Sequence, residues 1–215
     1  MFKLKDRYLT IKNTGEGELT IKRSRFIASV SPVQTEEEAI AFVNQIKQKY
    51  PDARHNVYAY IIEENNVMRY SDDGEPAGTG GVPVLDFLRK EQLTNLAVVV
   101  TRYFGGILLG TGGLVHAYSS AAKEGVLNAG ITEMILCREL FIECDYTLWG
   151  KLQNELSNFV TAMLPPEYTD IVKLNLYIPI SDTDRLIKTL TEATNAKIVL
   201  NLGGEGYFAF DTTDK

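Results

Sequence analysis

The chain has 215 residues, 45% of them apolar and 23% charged, which supplies enough apolar material for a sizeable core and argues against disorder. It holds no run near the roughly 18 apolar residues that a membrane-spanning helix needs, and residues 1–10 lack the apolar centre of a signal peptide. The net charge of −6 is unevenly placed: residues 1–132 hold 15 basic and 15 acidic side chains, while residues 133–215 hold 7 and 13 and carry the whole excess, so the second part repels a polyanion and the first does not.

The first thirty residues read as strands, interrupted by the basic cluster Lys22, Arg23 and Arg25. Thr35 and Glu38 form a T-x-x-E capping box ahead of a helix whose Ala39, Phe42, Val43, Ile46 and Tyr50 share one face, and Pro51 ends it. Residues 55–62 alternate as a strand, Asn65-Asn66 makes a turn, and residues 67–70 return as a second strand. Residues 71–81 are a glycine-rich loop, and residues 82–90 a short helix with Pro83 in its first turn. Residues 96–101 are a run of apolar β-formers suited to a buried central strand. Two glycine clusters follow, Gly105-Gly106 and Gly110 with Gly112-Gly113. A helix then starts, with Leu114, Tyr118, Ala121, Ala122, Gly125, Val126 and Ala129 on one face and Gly130 as its stop.

Beyond Glu133 the pattern is a strand over 135–146, a helix carrying Leu148, Leu152, Leu156 and Phe159, a turn at Pro165-Pro166 and a strand over 171–178. A second helix, capped by Ser181, carries Leu186, Ile187, Leu190 and Ala193, and two short strands at 197–202 and 207–210 complete a β-α-β-β-α-β ferredoxin-like unit. The fold class is therefore α+β, with domains at 1–134 and 135–215. Cys137 and Cys144 fall seven residues apart on one strand, roughly 23 Å of extended chain and beyond disulfide reach, and reduced thiols fit a cytoplasmic location.

Two long strings carry a resemblance. Residues 71–81 (SDDGEPAGTGG) and 100–110 (VTRYFGGILLG), with Arg54-His55-Asn56 and the 112–122 segment, resemble the IMPACT family, in its bacterial branch of the YigZ and YvyE kind. The resemblance covers roughly residues 18–130; the remainder matches in kind, as the small extra domain of bacterial members. It implies an N-terminal domain of the ribosomal-protein S-five second-domain superfold and a C-terminal domain like the last domain of elongation factor G. It also implies an association with translation. Eukaryotic members act on a starvation-kinase pathway through a preceding domain. This chain begins almost directly with the shared domain, so that role is not expected of it.

The glycine segment between strand and helix is the sharpest chemical feature. Gly105, Gly106, Gly110, Gly112 and Gly113 permit close backbone approach, and a helix start offers unpaired N–H groups to an anion. Thr111 adds a hydroxyl, Arg102 a charge and His116 a donor, whereas the competing reading gives the glycines to tight turns alone. There is no G-K-[ST], so this is not a Walker loop, and no cofactor is expected. Arg102, Tyr103 and Phe104 suit single-stranded nucleic acid, but alternation along a strand sends them to opposite faces, and Phe104 reads as core. Asp72, Asp73 and Glu75 are the metal candidates, set against capping of a turn or helix or pairing with Arg69 or Arg102. His55 beside Arg54 joins the candidate anion site, although a lone histidine is more often structural. A triad of Ser119 or Ser120 with His116 and Asp72 lacks the G-x-S-x-G elbow. Lys22, Arg23, Arg25, Arg54 and Arg69 could form a basic patch, or remain scattered.

The reading taken from the sequence is a translation-associated regulatory binding protein that contacts RNA or the ribosome through its N-terminal domain. Two alternatives stay open. One is a Mg-dependent enzyme acting on a nucleotide or phosphorylated small molecule. The other is a protein–protein regulator that holds its partner with the acidic C-terminal domain. No membrane partner is expected.

Overall fold

The computed structural model describes residues 5–210. Two compact units divide the described residues, one spanning Tyr8–Glu133 and the other joining residues 134–210 with residues 5–7.

In the first unit, β2 (Gly15–Ile21), β3 (Ser24–Pro32), β6 (Leu96–Tyr103), β4 (His55–Ile62) and β5 (Val67–Ser71) form a sheet in that order. The pairing of β3 and β4 with β6 is antiparallel, so β6 is central, as its apolar run requires. β1 (Arg7–Ile11) precedes the sheet, and its Leu9 carbonyl accepts from the Thr94 amide. Helices α2 (Gly81–Lys90) and α3 (Gly110–Ala129) cover one face, where Leu88, Tyr118, Ala121 and Val126 pack on Phe26, Ala28, Val98 and Val100. Helix α1 (Glu36–Lys49) covers the other, with Ala39, Val43 and Ile46 against Ala97, Val99, Tyr60 and Ile62. Alternation along β6 decides which of its side chains meet which helices.

The capping box ahead of α1 forms with a slip. The Thr35 hydroxyl accepts from the Glu38 amide at 3.2 Å, but the Glu38 carboxylate reaches the amide of Gln34, not that of Thr35. Asn65 and Asn66 turn the chain with positive φ, which asparagine tolerates.

The second unit runs β7 (Ile131–Cys144, its first residues in the other unit), α4 (Tyr146–Leu156), β8 (Ala162–Met163), β9 (Glu167–Tyr168), β10 (Val172–Pro179), α5 (Ile180–Thr194) and β11 (Val199–Phe210). Strand β11 pairs β7, β7 pairs β10, and β8 and β9 both pair β10, which is the strand order of a ferredoxin-like sheet. Its core joins Leu140, Ile142, Leu174 and Leu176 to Leu152 and Leu156 of α4 and Leu186 and Leu190 of α5. Cys137 and Cys144 are both buried free thiols on β7; burial pushes Cys137 up to about 11.

Two expectations need correction here. Ser181 does not cap α5: the N-cap is Pro179, and Ser181 lies inside the first turn. The proline's fixed φ already suits a helix entry, so the helix starts earlier than the serine suggests. The two terminal strands are one, β11, running through Gly203, Gly204 and Gly206. A Cβ on Gly203 would press on the side chains of Glu139 and Phe141, so this glycine marks close packing and not a break.

Candidate functional site

The strand register brings the distant candidate residues to one end of the first sheet. His55 opens β4 opposite Arg102, and Arg25 of β3 lies opposite Tyr103, so β6 ends where β3 and β4 begin. The β2–β3 hairpin turn, Lys22-Arg23, sits at the same end because Ile21 pairs with Ser24. The loop after β5 returns there as well.

Beneath this end lies a buried polar network. The Arg102 guanidinium donates to Glu75 Oε1 at 2.6 Å, and the Tyr118 hydroxyl donates to the same oxygen at 2.8 Å. Arg102 also reaches Ser24 Oγ at 3.4 Å, and that hydroxyl accepts from the Gly105 amide at 3.2 Å. The Arg102 guanidinium stands over the rings of Phe26 and Phe104 at 5.4 and 5.5 Å. Arg102 is therefore engaged by a carboxylate from the first hallmark string, and its charge is not free for a phosphate. Burial, reinforced by Glu75, pushes the Tyr118 hydroxyl far up, so it stays a neutral donor.

The acidic loop is engaged in the same way. Asp72 accepts from the amides of Gly78, Gly80 and Gly81, capping α2, whose N-cap glycine has no side chain of its own to do so. Asp73 holds Lys47 at 2.9 Å and the Asn56 amide at 2.7 Å. His55 Nδ1 lies 2.9 Å from the Asp73 carbonyl; that oxygen can only accept, so Nδ1 carries a proton. His55 Nε2 lies 4.0 Å from Glu75. Among the described residues no three acidic, histidine or cysteine side chains converge on a point suited to a metal. Asp72 is occupied by α2 and His116 is exposed, so the paper triad has no orienting carboxylate from Asp72.

Above the network the glycine turn is open. Space lies beside Gly106, Gly110 and Gly112, and α3 begins without any side-chain cap. Gly106 and Gly110 have φ of +82° and +74°, which is the backbone requirement that selects glycine there. Gly113 stands against Leu109, and Thr111 and His116 are exposed. Gly105 differs: its missing Cβ leaves room for the Arg23 carbonyl, so the hairpin turn rests on the glycine turn. Phe104 is 50% exposed and Leu108 83% exposed, which corrects the reading of Phe104 as core. Tyr103 points to the other side, its hydroxyl donating to Asp52 at 2.8 Å, and burial followed by that carboxylate raises it.

The basic residues separate into two groups. Arg25 pairs with Glu18, Arg69 with Glu36, Lys47 with Asp73 and Lys49 with Glu16. Among the described residues Lys22, Arg23 and Arg54 make no ion pair, and all three are exposed at the end where β6 stops. The five-residue basic patch is thus reduced to three. Sequence reasoning missed Ser24 as a partner of Arg102 and Tyr118 as a partner of Glu75. It had the hairpin within reach, since two residues separate two β-rich runs; Lys-Arg is an unusual pair for positive φ.

This architecture defines a two-domain α+β protein: a three-layer N-terminal unit with a polar network under a glycine turn, and a ferredoxin-like unit. The Impact N-terminal domain matches residues 22–126 and the Domain of unknown function (DUF1949) matches residues 142–197. The chain is 42% identical over 191 residues to the IMPACT family member YvyE of Bacillus subtilis, covering 88% of each. It is 31% identical over 183 residues to the IMPACT family member YigZ of Escherichia coli, covering 84% of this chain and 90% of that one. A solved structure described as "Crystal structure of an hypothetical protein" is similar at a TM-score of 0.59 and 30% identity, over 92% of this chain and 97% of that chain. The chain belongs to the IMPACT family.

Proposed function

We propose that this chain is a translation-associated binding protein that grips single-stranded RNA, ribosomal RNA included, at the end of the N-terminal sheet where β6 stops. The observation that carries the reading is the meeting of three unpaired cations, Lys22, Arg23 and Arg54, with the uncapped start of α3, while the other bases named above are paired. Strands β2, β3, β6 and β4 place the hairpin turn and Arg54 two to three strand spacings apart, roughly 10–14 Å, a span that suits more than one phosphate. The half-exposed Phe104 ring offers a stacking face beside them, with Arg102 behind it. Lys22 and Arg23 hold positive φ, 46° and 65°, a costly conformation for long side chains that the Gly105 packing fixes in place. Arg102 then acts by positioning: it holds Glu75, Ser24 and thereby the Gly105 amide.

Fluorescence anisotropy of a labelled single-stranded RNA oligonucleotide with the full chain at 50 and 200 mM salt tests this. Binding weakens with salt, and Lys22→Ala with Arg23→Ala lowers affinity and flattens the salt slope by about 0.7 for each phosphate no longer neutralised. Binding that ignores salt, or that the double variant leaves unchanged, contradicts it.

A further inference from the structure

His55 is a titratable side chain that the RNA reading leaves unused. It opens β4 directly opposite Arg102, beside the buried pair that Arg102 makes with Glu75. Two contacts fix its ring. Nδ1 donates to the Asp73 carbonyl at 2.9 Å, and the loop closes against the imidazole at Gly74, where φ is +87° and a Cβ would stand 3.4 Å from Nδ1. The other nitrogen, Nε2, is thereby left with a lone pair. Among the described residues it makes no hydrogen bond; it faces Glu75 Oε1 from 4.0 Å, about 1 Å beyond hydrogen-bond reach.

Imidazole is the side-chain group whose charge ordinarily changes between about pH 5 and 8, and charged groups surround this one. Arg54 precedes it on β4 and Arg102 opposes it from β6. Glu75 and Asp73 face it from the loop after β5, with Tyr118 of α3 on Glu75 and Lys47 of α1 on Asp73. While His55 is neutral, the charges of Arg102 and Glu75 cancel. A proton on Nε2 leaves the three groups with one positive charge in excess. Water screens it little, because the His55 side chain is 22% exposed and that of Glu75 4%. The proton also gives Glu75 a third donor beside Arg102 and Tyr118, so its hold on Arg102 is shared. Arg102 already has a donor to spare, since its Nε is buried without a hydrogen-bond partner. The same guanidinium lies against Phe104 and donates to Ser24 Oγ, which accepts from the Gly105 amide, so both changes fall directly under the glycine turn.

We propose that His55 is a proton switch for this site. Uptake of a solvent proton at Nε2 turns the neutral Arg102–Glu75 pair into a cationic His55–Glu75–Arg102 trio and tightens the grip on an RNA phosphate above it, an inference that rests on the RNA reading. By linkage, bound RNA favours the protonated ring in turn. Cyanine-labelled oligouridine is titrated with the full chain at pH 5.5 and 7.5 and equal ionic strength, because neither uracil nor the dye changes charge between them. Affinity is about fivefold higher at pH 5.5, and His55→Gln, which keeps an amide donor for the Asp73 carbonyl, reduces the difference to under about twofold. Circular dichroism checks that the variant is folded. Nitrogen-15 imidazole spectra of the unsubstituted chain decide without it: His55 is the Nδ1–H tautomer at pH 7.5, and oligouridine raises its protonated fraction at pH 6.5. Equal affinity at the two pH values, a difference that His55→Gln preserves or that His116→Gln alone removes, an Nε2–H tautomer, or a protonated fraction that RNA leaves unchanged overturns the switch while RNA binding stands. Absence of binding at both pH values removes the RNA reading and the switch together.

Discussion

Glu75 accepts from Arg102 and from Tyr118 with one oxygen, so a single buried carboxylate ties the loop after β5 to β6 and to α3. Removing it strands a buried guanidinium, and Glu75→Ala is expected to cost about 3–5 kcal/mol, measured by urea unfolding. A loss under about 1 kcal/mol would mean that Arg102 finds water or another partner. Tyr118 offers an independent test. Its folded-state ionisation is pushed above the ordinary 10.0 by burial and by Glu75, so above that pH the unfolded chain releases the proton first. Stability therefore falls as pH climbs past about 10, by up to about 1.4 kcal/mol per pH unit for this proton. Tyr60, pushed up to about 12 by burial and Glu36, adds to the same decline until its own folded value is reached. Tyr118→Phe is expected to remove one proton's share of the slope between pH 10 and 11; an unchanged slope contradicts the assignment. At this scale the sequence named the right residues and left their neighbours open. Arg102 reads as a phosphate ligand from its place at a strand end, and its pairing with a carboxylate of the 72–75 cluster stands as the competing reading; the structure shows that pairing, with Glu75, a choice that nothing local to residues 100–110 makes. Phe104 reads as core from its type, and only the end of β6 just before it explains its exposure.

Elements were the most legible level. The face Leu114, Tyr118, Ala121, Ala122, Gly125, Val126 and Ala129 is buried throughout, and β4 spans the residues that alternation marks out. What escaped were ends governed by tertiary packing that a sequence does not display: the start of α5 at a proline and the continuity of β11 through Gly203, which packs on β7. The glycine turn separates two kinds of glycine, and substitution distinguishes them. Gly105→Ala drives a methyl into the Arg23 backbone and is expected to destabilise by about 1–3 kcal/mol, with the hairpin displaced. Gly112→Ala meets open space in the first turn of a helix and is expected to be neutral or to stabilise by up to about 1 kcal/mol. Thermal unfolding of the two variants checks the pair, and equal losses would contradict the distinction.

Across the whole molecule, charge sorts the roles that the two units can take. The first is neutral in sum, and at the end where β6 stops Lys22, Arg23 and Arg54 stand outside ion pairs among the described residues while Arg25, Lys47, Lys49 and Arg69 are paired; the second holds the entire excess of −6 over residues 133–215. That division was readable from composition, because net charge needs no coordinates. Which cations remain unpaired was not, since pairing depends on strand register. Polyanion capture where β6 stops is the central claim. The most direct measurement is amide hydrogen exchange of the full chain with and without a saturating single-stranded RNA oligonucleotide. Slowed exchange is predicted in peptides spanning residues 20–25, 52–56 and 104–116, with residues 145–170 unchanged; no protection there, or protection confined to the second unit, would contradict it.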